Sequence, residues 1–341
     1  MTKQKFFISL IIPIFNEYDG IPFLVGSLNE FFGKNSNLQA EVIFVNDGSR
    51  DKSYTRLKES EHLTYRAKVI NFSRNFGSHA ALRAGIANAA GERVCFNYAD
   101  LQDPLELILF MNEKIDLGAD IVWAQRESTT VSIAEKVFSK AYAFMMRNFA
   151  LRNFPEKGFD IVMFNRKVAD EVNKNIEANS SIFLQILGLG YRQDFIRYQK
   201  KERKHGVSKW TIAKKVKLFI DSFVAFSFAP IRLVSIVGIM LFFLGVSWTI
   251  YIIFRKLLYN DLATGWPAMI SILMVGFGIT NISLGIIAEY LWRTLDVSRK
   301  RPVFVIDEIL ELEQITNSVQ PSLDYKSFGH KTVENLGITT A

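Results

Sequence analysis

The chain of 341 residues has few of the side chains that build disulfide or metal–thiolate frameworks. Its one cysteine, Cys95, lies in an apolar run and can form no intrachain disulfide bond, which is typical of a reducing compartment. The four histidines show no metal-ligand spacing; they are His62, His79, His205 and His330. We expect no secretory signal sequence, because Pro13 and Asn16 interrupt the N-terminal apolar run.

The chain also lacks the glycine-rich loops that bind nucleotide phosphates. No GxGxxG sequence follows the first apolar run, and no GxxxxGK[ST] sequence occurs anywhere. Dinucleotide dehydrogenases and P-loop nucleotidases are therefore excluded, because these loops supply their phosphate contacts. A diphosphate bound by this chain needs a metal ion and basic side chains instead.

Charged residues are absent from two long stretches late in the chain. Residues 233–254 and 262–288 contain no Lys, Arg, Asp or Glu. About 20 apolar residues are enough to span a membrane. With only residues 255–261 between them, the two stretches predict a transmembrane hairpin with spans at about 233–254 and 265–288. Two buried helices of a large soluble protein are the alternative, which the length and the basic flanks disfavour.

Basic residues flank the two stretches and account for much of the net charge of +7. Residues 200–217 contain eight Lys or Arg and one acid, and four more bases lie in 293–301. The positive-inside rule places both termini in the cytoplasm and the protein in the cytoplasmic membrane. The same charge suits anionic lipid headgroups, and no nucleic acid partner is expected, because the basic run leads directly into a span.

Strand-like and helix-like segments alternate before these stretches. Apolar runs predict strands at 6–14, 41–45, 68–72, 93–98 and 121–124. Repeated strand–helix units imply an α/β fold with a largely parallel sheet and helices on both faces. The predicted units are a catalytic-sized domain at 1–210, an amphipathic juxtamembrane helix at 211–230, the hairpin at 231–298 and a tail at 299–341, loosely ordered beyond about Leu310.

Polar side chains follow the predicted strands at their carboxyl ends. They are Asn16, Glu17, Asp47, Arg74, Asn75, Asp100 and Gln102. In a parallel sheet these ends share one edge, where ligands bind. Asp100 and Gln102 offer hard oxygen ligands that suit Mg²⁺ or Mn²⁺.

Five motifs in a fixed order carry a family resemblance: IIPIFNE (11–17), FVNDGSRD (44–51), SRNFGSHAALRAG (73–85), YADLQDP (98–104) and HGVSKW (205–210). With the two apolar stretches, they resemble inverting family 2 glycosyltransferases of the GT-A fold. The match is closest to polyprenyl-phosphate glycosyltransferases, the group of dolichol-phosphate mannose synthase and the bactoprenol glucosyltransferases. The resemblance covers roughly residues 6–305. It implies transfer of a sugar from a nucleotide donor, UDP-glucose or a similar one, to a polyprenyl phosphate at the membrane.

The resemblance also implies roles for particular residues. Binding of the nucleotide sugar is expected of Pro13, Phe15, Glu17, Asp47, Arg74 and Asp100. Asp100 and Gln102 are expected to hold Mg²⁺ or Mn²⁺, and Asp160 to serve the reacting sugar as the catalytic carboxylate. Contacts to the acceptor or to phosphates are expected of Arg126, Lys136, Arg203, Ser208 and Lys209.

Two positions depart from the family pattern. Tyr98 replaces an acid of the Asp-x-Asp-x-Gln motif, and Val162 stands where relatives carry an arginine. Two alternatives stay open: an enzyme that extends a cell-surface glycan, and an inactive membrane module that binds nucleotide sugars. The Gln-x-x-Arg-Trp motif of processive synthases is absent, which argues against glycan extension. The sugar, the lipid length and whether the chain forms a homo-oligomer are left open.

Overall fold

The fold is built on one mixed sheet with helices packed on both faces. The computed structural model describes residues 8–62, 64–126, 140, 142–148, 151, 154–155, 159–175, 181–199, 265–298, 302–312 and 339–340, with scattered positions between 236 and 258. Its strands are β1 (Ile8–Ile14), β2 (Ala40–Asn46), β3 (Arg66–Phe72), β4 (Arg93–Phe96), β5 (Ile121–Arg126), β6 (Phe159–Asn165), β7 (Gln193–Tyr198), β8 (Ile306–Leu312) and β9 (Thr339–Thr340). Its helices are α1 (Ile21–Lys34), α2 (Ser53–Lys58), α3 (Ser78–Asn88), α4 (Leu107–Asp116), α5 (Arg166–Lys174), α6 (Ile182–Gly188) and α7 (Trp266–Ser298).

The strand order across the sheet is β8-β3-β2-β1-β4-β6-β5-β7-β9. β1 pairs in parallel with β2 and β4, β2 with β3, and β5 with β7. β6 is antiparallel to β4 and β5, while β8 and β9 are antiparallel to β3 and β7. The five predicted strands are confirmed. The predicted largely parallel sheet is corrected to a mixed one, because the repeated strand–helix pattern behind it ends at β5.

These strand directions bring the carboxyl ends of six strands to one edge of the sheet. β1 to β5 and β7 run the same way, so their carboxyl ends share an edge, which we call the carboxyl edge. β6 runs the opposite way, so its amino end lies at this edge too. The first residues of β6 and the residues that follow β1 to β5 and β7 therefore lie along the same edge.

Apolar side chains fill both faces of the sheet. One cluster joins Leu10 and Ile12 of β1 to α1 and α4, and the other joins Ile11 to α3, α5 and α6. Such alternation on a strand that is apolar throughout is what a sheet covered on both faces requires. α1 buries residues at helical spacing, with Pro22 in its first turn. Each fully buried side chain of this size contributes about 1.5–3 kcal/mol.

The segment after α7 returns to the sheet as β8. β8 pairs with β3 at the edge of the sheet. The rings of Phe304 and Phe72 stack with their centroids 5.5 Å apart, and the Tyr54 hydroxyl donates a hydrogen bond to Glu308. The sequence did not predict this strand, which extends to Leu312, past the predicted limit of order at about Leu310. The segment predicted as a tail thus supplies part of the sheet.

The hairpin stays a prediction. α7 overlaps the second predicted span, whereas the first span lies mostly, and the juxtamembrane helix at 211–230 entirely, outside the described residues. In the part of the chain that the structure describes, no helix combines the length and the apolarity needed to cross a membrane.

Candidate active site

The sequence-predicted site residues with a described backbone lie along the carboxyl edge. Their strands place them in the order Arg74, Asp47, Pro13 with Phe15 and Glu17, Asp100 with Gln102, Asp160, and Arg126. Neighbouring strands lie about 4.8 Å apart, so the strands of Asp47 and Asp160 are separated by three spacings, roughly 14 Å. The edge thus offers a row of polar groups rather than a single point.

Asp47, directly after β2, anchors the loop that follows β3. One carboxylate oxygen accepts from the backbone N–H of Phe76 at 2.6 Å, and the other accepts from Gly77 N–H and from the Asn75 side chain, both at 2.9 Å. The side chain is 3% exposed. Both oxygens are therefore used to hold the 73–77 loop in place.

Burial sets the charge behaviour of this carboxylate. Loss of solvation raises the pKa of Asp47 to about 6, although the N–H groups of Phe76 and Gly77 pull it the other way. Below about pH 6 the group gains a proton, and the protonated oxygen becomes a hydrogen-bond donor and a weaker acceptor for the N–H groups of the loop. The anchor of the loop therefore titrates just below neutral pH.

Gly48 allows the close approach of the two loops. Its φ is +60°, and a Cβ at this position would lie 2.3 Å from the backbone carbon of Arg74. No other residue type avoids that overlap. The Arg74 guanidinium lies 4.0 Å from the centre of the Phe76 ring, which keeps this cation at the rim of the site.

Hydroxyl groups of the β2–α2 loop hold the β1–α1 loop that carries Phe15 and Glu17. Asn16 has a φ of +52°, and its N–H donates to Ser49 Oγ at 3.0 Å. Glu17 N–H donates to Ser53 Oγ at 2.9 Å. The family resemblance implied no role for these serines. Their position in and just after the NDGSRD motif could have indicated a role. Serine hydroxyls near a turn, however, more often form hydrogen bonds within their own loop.

The loop after β4 presents the predicted metal ligands. Asp100 and Gln102 are both half-buried, and Gln102 N–H lies 3.4 Å from the Asp100 carboxylate. Within the described residues, no three His, Cys, Asp or Glu side chains gather as a metal site. Mg²⁺ is commonly held by one or two carboxylates plus substrate phosphates. Asp100 and Gln102 therefore fit a metal ion whose shell a diphosphate completes.

The remaining predicted residues divide into two groups. The backbone of Asp160 begins β6 between β4 and β5, and Arg126 ends β5 half-buried, so both lie at the carboxyl edge. The Asp160 side chain is outside the described part, as are Lys136, Arg203, Ser208 and Lys209.

The two positions that depart from the family pattern lie near apolar side chains. Val162 is fully buried in the second apolar cluster, and Tyr98 packs partly against this cluster.

Comparison with known proteins identifies the family of this chain. The model for glycosyl transferase family 2 matches residues 9–173, which contain the whole row from Pro13 to Asp160. The glycosyltransferase YkcC of Bacillus subtilis (strain 168), itself uncharacterised, is 33% identical over 309 residues, 89% of this chain and 94% of its own. This chain belongs to glycosyltransferase family 2.

Relatives with more specific names match this glycosyltransferase over a similar length. The bactoprenol glucosyl transferase of Shigella phage SfV is 29% identical over 301 residues, covering 88% of this chain and 97% of its own. Among solved structures, the Mycobacterium tuberculosis glucosyl-3-phosphoglycerate synthase, in complex with Mn²⁺, uridine diphosphate and glucosyl-3-phosphoglycerate, gives a TM-score of 0.43 at 16% identity, over 64% of this chain and 77% of that one. A likeness this weak carries nothing over to the present enzyme.

The family settles that the carboxyl edge belongs to an enzyme. The mixed Rossmann-like sheet is consistent with the GT-A fold that the motifs implied. The individual roles of the site residues stay predictions.

Proposed function

We propose that this enzyme transfers a sugar, with inversion, from a UDP-linked donor to a polyprenyl phosphate at the cytoplasmic face of a membrane. The observation that carries the proposal is the length of the match to bactoprenol glucosyl transferases. It extends over about 300 residues, whereas the family domain ends at residue 173. The likeness therefore includes the part of the chain beyond the donor-binding motifs, where the acceptor is expected to bind.

The row of groups along the carboxyl edge supports a nucleotide-sugar donor. Asp47 and Arg74 lie towards one end, Asp100 near the middle and Asp160 further on. In open α/β sheets, ligands bind outside the carboxyl ends where the strand order reverses, which here is between β1 and β4. A nucleoside near β2, a diphosphate near β4 and a sugar near β6 match this order.

Asp100 and Gln102 would hold Mg²⁺ or Mn²⁺ against the donor diphosphate. The bound ion supplies charge neutralisation for the leaving nucleoside diphosphate. Both side chains are half-buried in the loop that follows β4, at the carboxyl edge. Arg126 offers a positive charge two strands away, at the end of β5.

The acceptor needs positioning more than activation. A lipid phosphate is already an anion at neutral pH, so it needs little help from a general base. Holding it in line with the anomeric carbon is then the main task of the protein. A carboxylate at Asp160 would stabilise positive charge that develops on the sugar ring.

The membrane part of the proposal rests on the uncharged stretches, the basic flanks and the surface of α7. α7 exposes large apolar side chains along its length; among them are Met269, Ile272, Phe277, Ile282 and Leu291. Exposed apolar surface of this extent marks contact with a membrane or another protein. A lipid acceptor makes the membrane the partner that fits.

Replacement of Asp100 tests the donor site. Asp100→Ala removes an anionic ligand, so transfer should fall about a hundredfold or more, as expected for loss of a well-placed electrostatic group. Asp170→Ala is the matched control, since Asp170 is an exposed carboxylate on α5, which follows the opposite end of β6. Full activity of Asp100→Ala in EDTA would refute the metal assignment.

A further inference from the structure

The loop between β4 and α4 is held in an unfavourable backbone conformation. Leu101 has a φ of +46°, in the left-handed region that branched side chains rarely adopt. Such a conformation costs about 1–3 kcal/mol and persists only where surrounding contacts impose it. Leu101 lies between Asp100 and Gln102, so the same contacts also set the relative position of these two side chains.

A buried side-chain pair joins this loop to β7, which lies three strands away from β4 in the sheet. Tyr198 Oη donates to Asp103 Oδ1 at 2.5 Å, across 95 residues of sequence. Tyr198 is 0% exposed and Asp103 is 1% exposed. Leu101 packs against the same apolar cluster that contains Tyr198. The loop is thus fixed on one side by β4 and on the other by the last residue of β7.

Asp103 accepts this hydrogen bond at a position just before the helix that follows it. α4 begins at Leu107, with Glu106 at its N-cap position, so Asp103 lies before the cap. An acid so deeply buried needs a hydrogen-bond donor to offset its lost solvation. The Tyr198 hydroxyl supplies one, which makes the position of Asp103 depend on β7.

We propose that Tyr198 and Asp103 are positioning residues that set the loop of Asp100 and Gln102 in its metal-binding shape. The proposal rests on the proposed function. β7 ends at Tyr198, and the predicted acceptor residues Arg203, Ser208 and Lys209 follow it in the sequence. The pair therefore links the donor-diphosphate loop to the strand that precedes these residues in the sequence.

Tyr198→Phe is the sharpest test because it removes one oxygen atom and keeps the ring. The measurement is Mn²⁺ affinity of the full chain in the presence of UDP, by calorimetry or by the electron paramagnetic resonance of free Mn²⁺. We expect affinity to fall about tenfold, as for loss of roughly 1.4 kcal/mol. The KM for the donor should rise with it, while kcat at saturating Mn²⁺ should change less.

Tyr65→Phe is the matched control. Tyr65 is also buried, and its hydroxyl lies 3.0 Å from Nδ1 of His62, away from the carboxyl edge. Both variants should lower the melting temperature by similar amounts, but only Tyr198→Phe should weaken Mn²⁺ binding. Asp103→Asn should largely retain affinity, because its amide oxygen can still accept from Tyr198, whereas Asp103→Ala should not.

Equal Mn²⁺ affinity of Tyr198→Phe and Tyr65→Phe would overturn the positioning role and leave the proposed function intact. Wild-type protein that neither binds Mn²⁺ with UDP nor transfers sugar would overturn both proposals together. Weakened binding in Tyr198→Phe and Asp103→Ala, with recovery in Asp103→Asn, would support the pair.

Discussion

Asp47→Asn separates the stability of the fold from the binding of the donor. Asn keeps the size of Asp but presents one oxygen and one NH₂ group, whereas the 73–77 loop needs two acceptors. The NH₂ group would face a backbone N–H or the Asn75 amide. The loop should therefore lose at least one of its anchors to β2.

The folding stability of the Asp47→Asn variant should not fall, although the loop loses an anchor. The pKa of Asp47 is about 6 in the folded protein against an ordinary value of 3.8. Because the pKa is raised, the folded state favours the neutral carboxyl group. The neutral group therefore contributes its full stabilisation of the fold below about pH 4, and this contribution is lost as pH rises through 6. The difference between the two pKa values corresponds to about 3 kcal/mol. Because Asn resembles the neutral form, the variant at pH 7.5 should be as stable as wild type or more stable by up to about 3 kcal/mol.

Donor binding should nevertheless weaken. We expect the KM for the nucleotide sugar to rise about tenfold, equivalent to roughly 1.4 kcal/mol. Hydrogen exchange at the amides of Phe76 and Gly77 should speed up even without donor. Wild-type kcat/KM should fall below about pH 6, where Asp47 gains its proton, and this limb should be absent from the variant.

Asp120→Asn provides the control. Asp120 also accepts from a side-chain amide, that of Asn165 at 2.8 Å, and from a backbone N–H, that of Arg192 at 3.2 Å, but it precedes β5 at the opposite edge. It should leave the donor KM unchanged. An unchanged KM and unchanged amide exchange in Asp47→Asn would refute the loop-anchoring argument.

Three further predictions concern other parts of the site. Asp160→Asn should lower kcat about a hundredfold or more with donor affinity nearly unchanged; normal turnover with weak donor binding would make Asp160 a donor-binding residue instead. Gly48→Ala and Gly48→Asn should both destabilise the protein, by about 1–3 kcal/mol for the backbone conformation of Ala alone, because either Cβ meets the Arg74 backbone; wild-type melting of Gly48→Asn would show that the loops can separate. In a Cys95→Ala background, Asn260→Cys should react with an impermeant thiol reagent in intact cells and His330→Cys should not; the reverse pattern would overturn the topology.

The sequence predicted the central strands well because burial on both faces leaves a clear trace. β1 and β2 are apolar runs with all or nearly all residues buried, bounded by polar turns. β8 was missed for the opposite reason. Its residues alternate between half-buried and exposed, and its partner, β3, precedes it by more than 230 residues. An edge strand closed by a distant segment has no local signal that fixes its pairing.

The site could be predicted as a set of residues but not as a set of contacts. Asp47 and Asp100 follow strands, so their place at one edge follows from parallel pairing alone. The use of both Asp47 oxygens by a loop about 30 residues later does not follow, because it depends on how closely Gly48 lets the loops approach. The Tyr198–Asp103 bond likewise depends on the pairing of β5 with β6 and of β7 with β5.

Transfer of labelled sugar to lipid tests the central claim most directly. The full chain, purified in detergent, is incubated with Mn²⁺, undecaprenyl phosphate and radiolabelled nucleotide sugars supplied one at a time, and solvent-extractable label is counted. We expect label in lipid with one UDP-sugar, and we expect this labelling to require the lipid phosphate and to be abolished by EDTA. Label that appears only in free sugar or in a water-soluble glycan, whichever donor is supplied, would contradict this expectation.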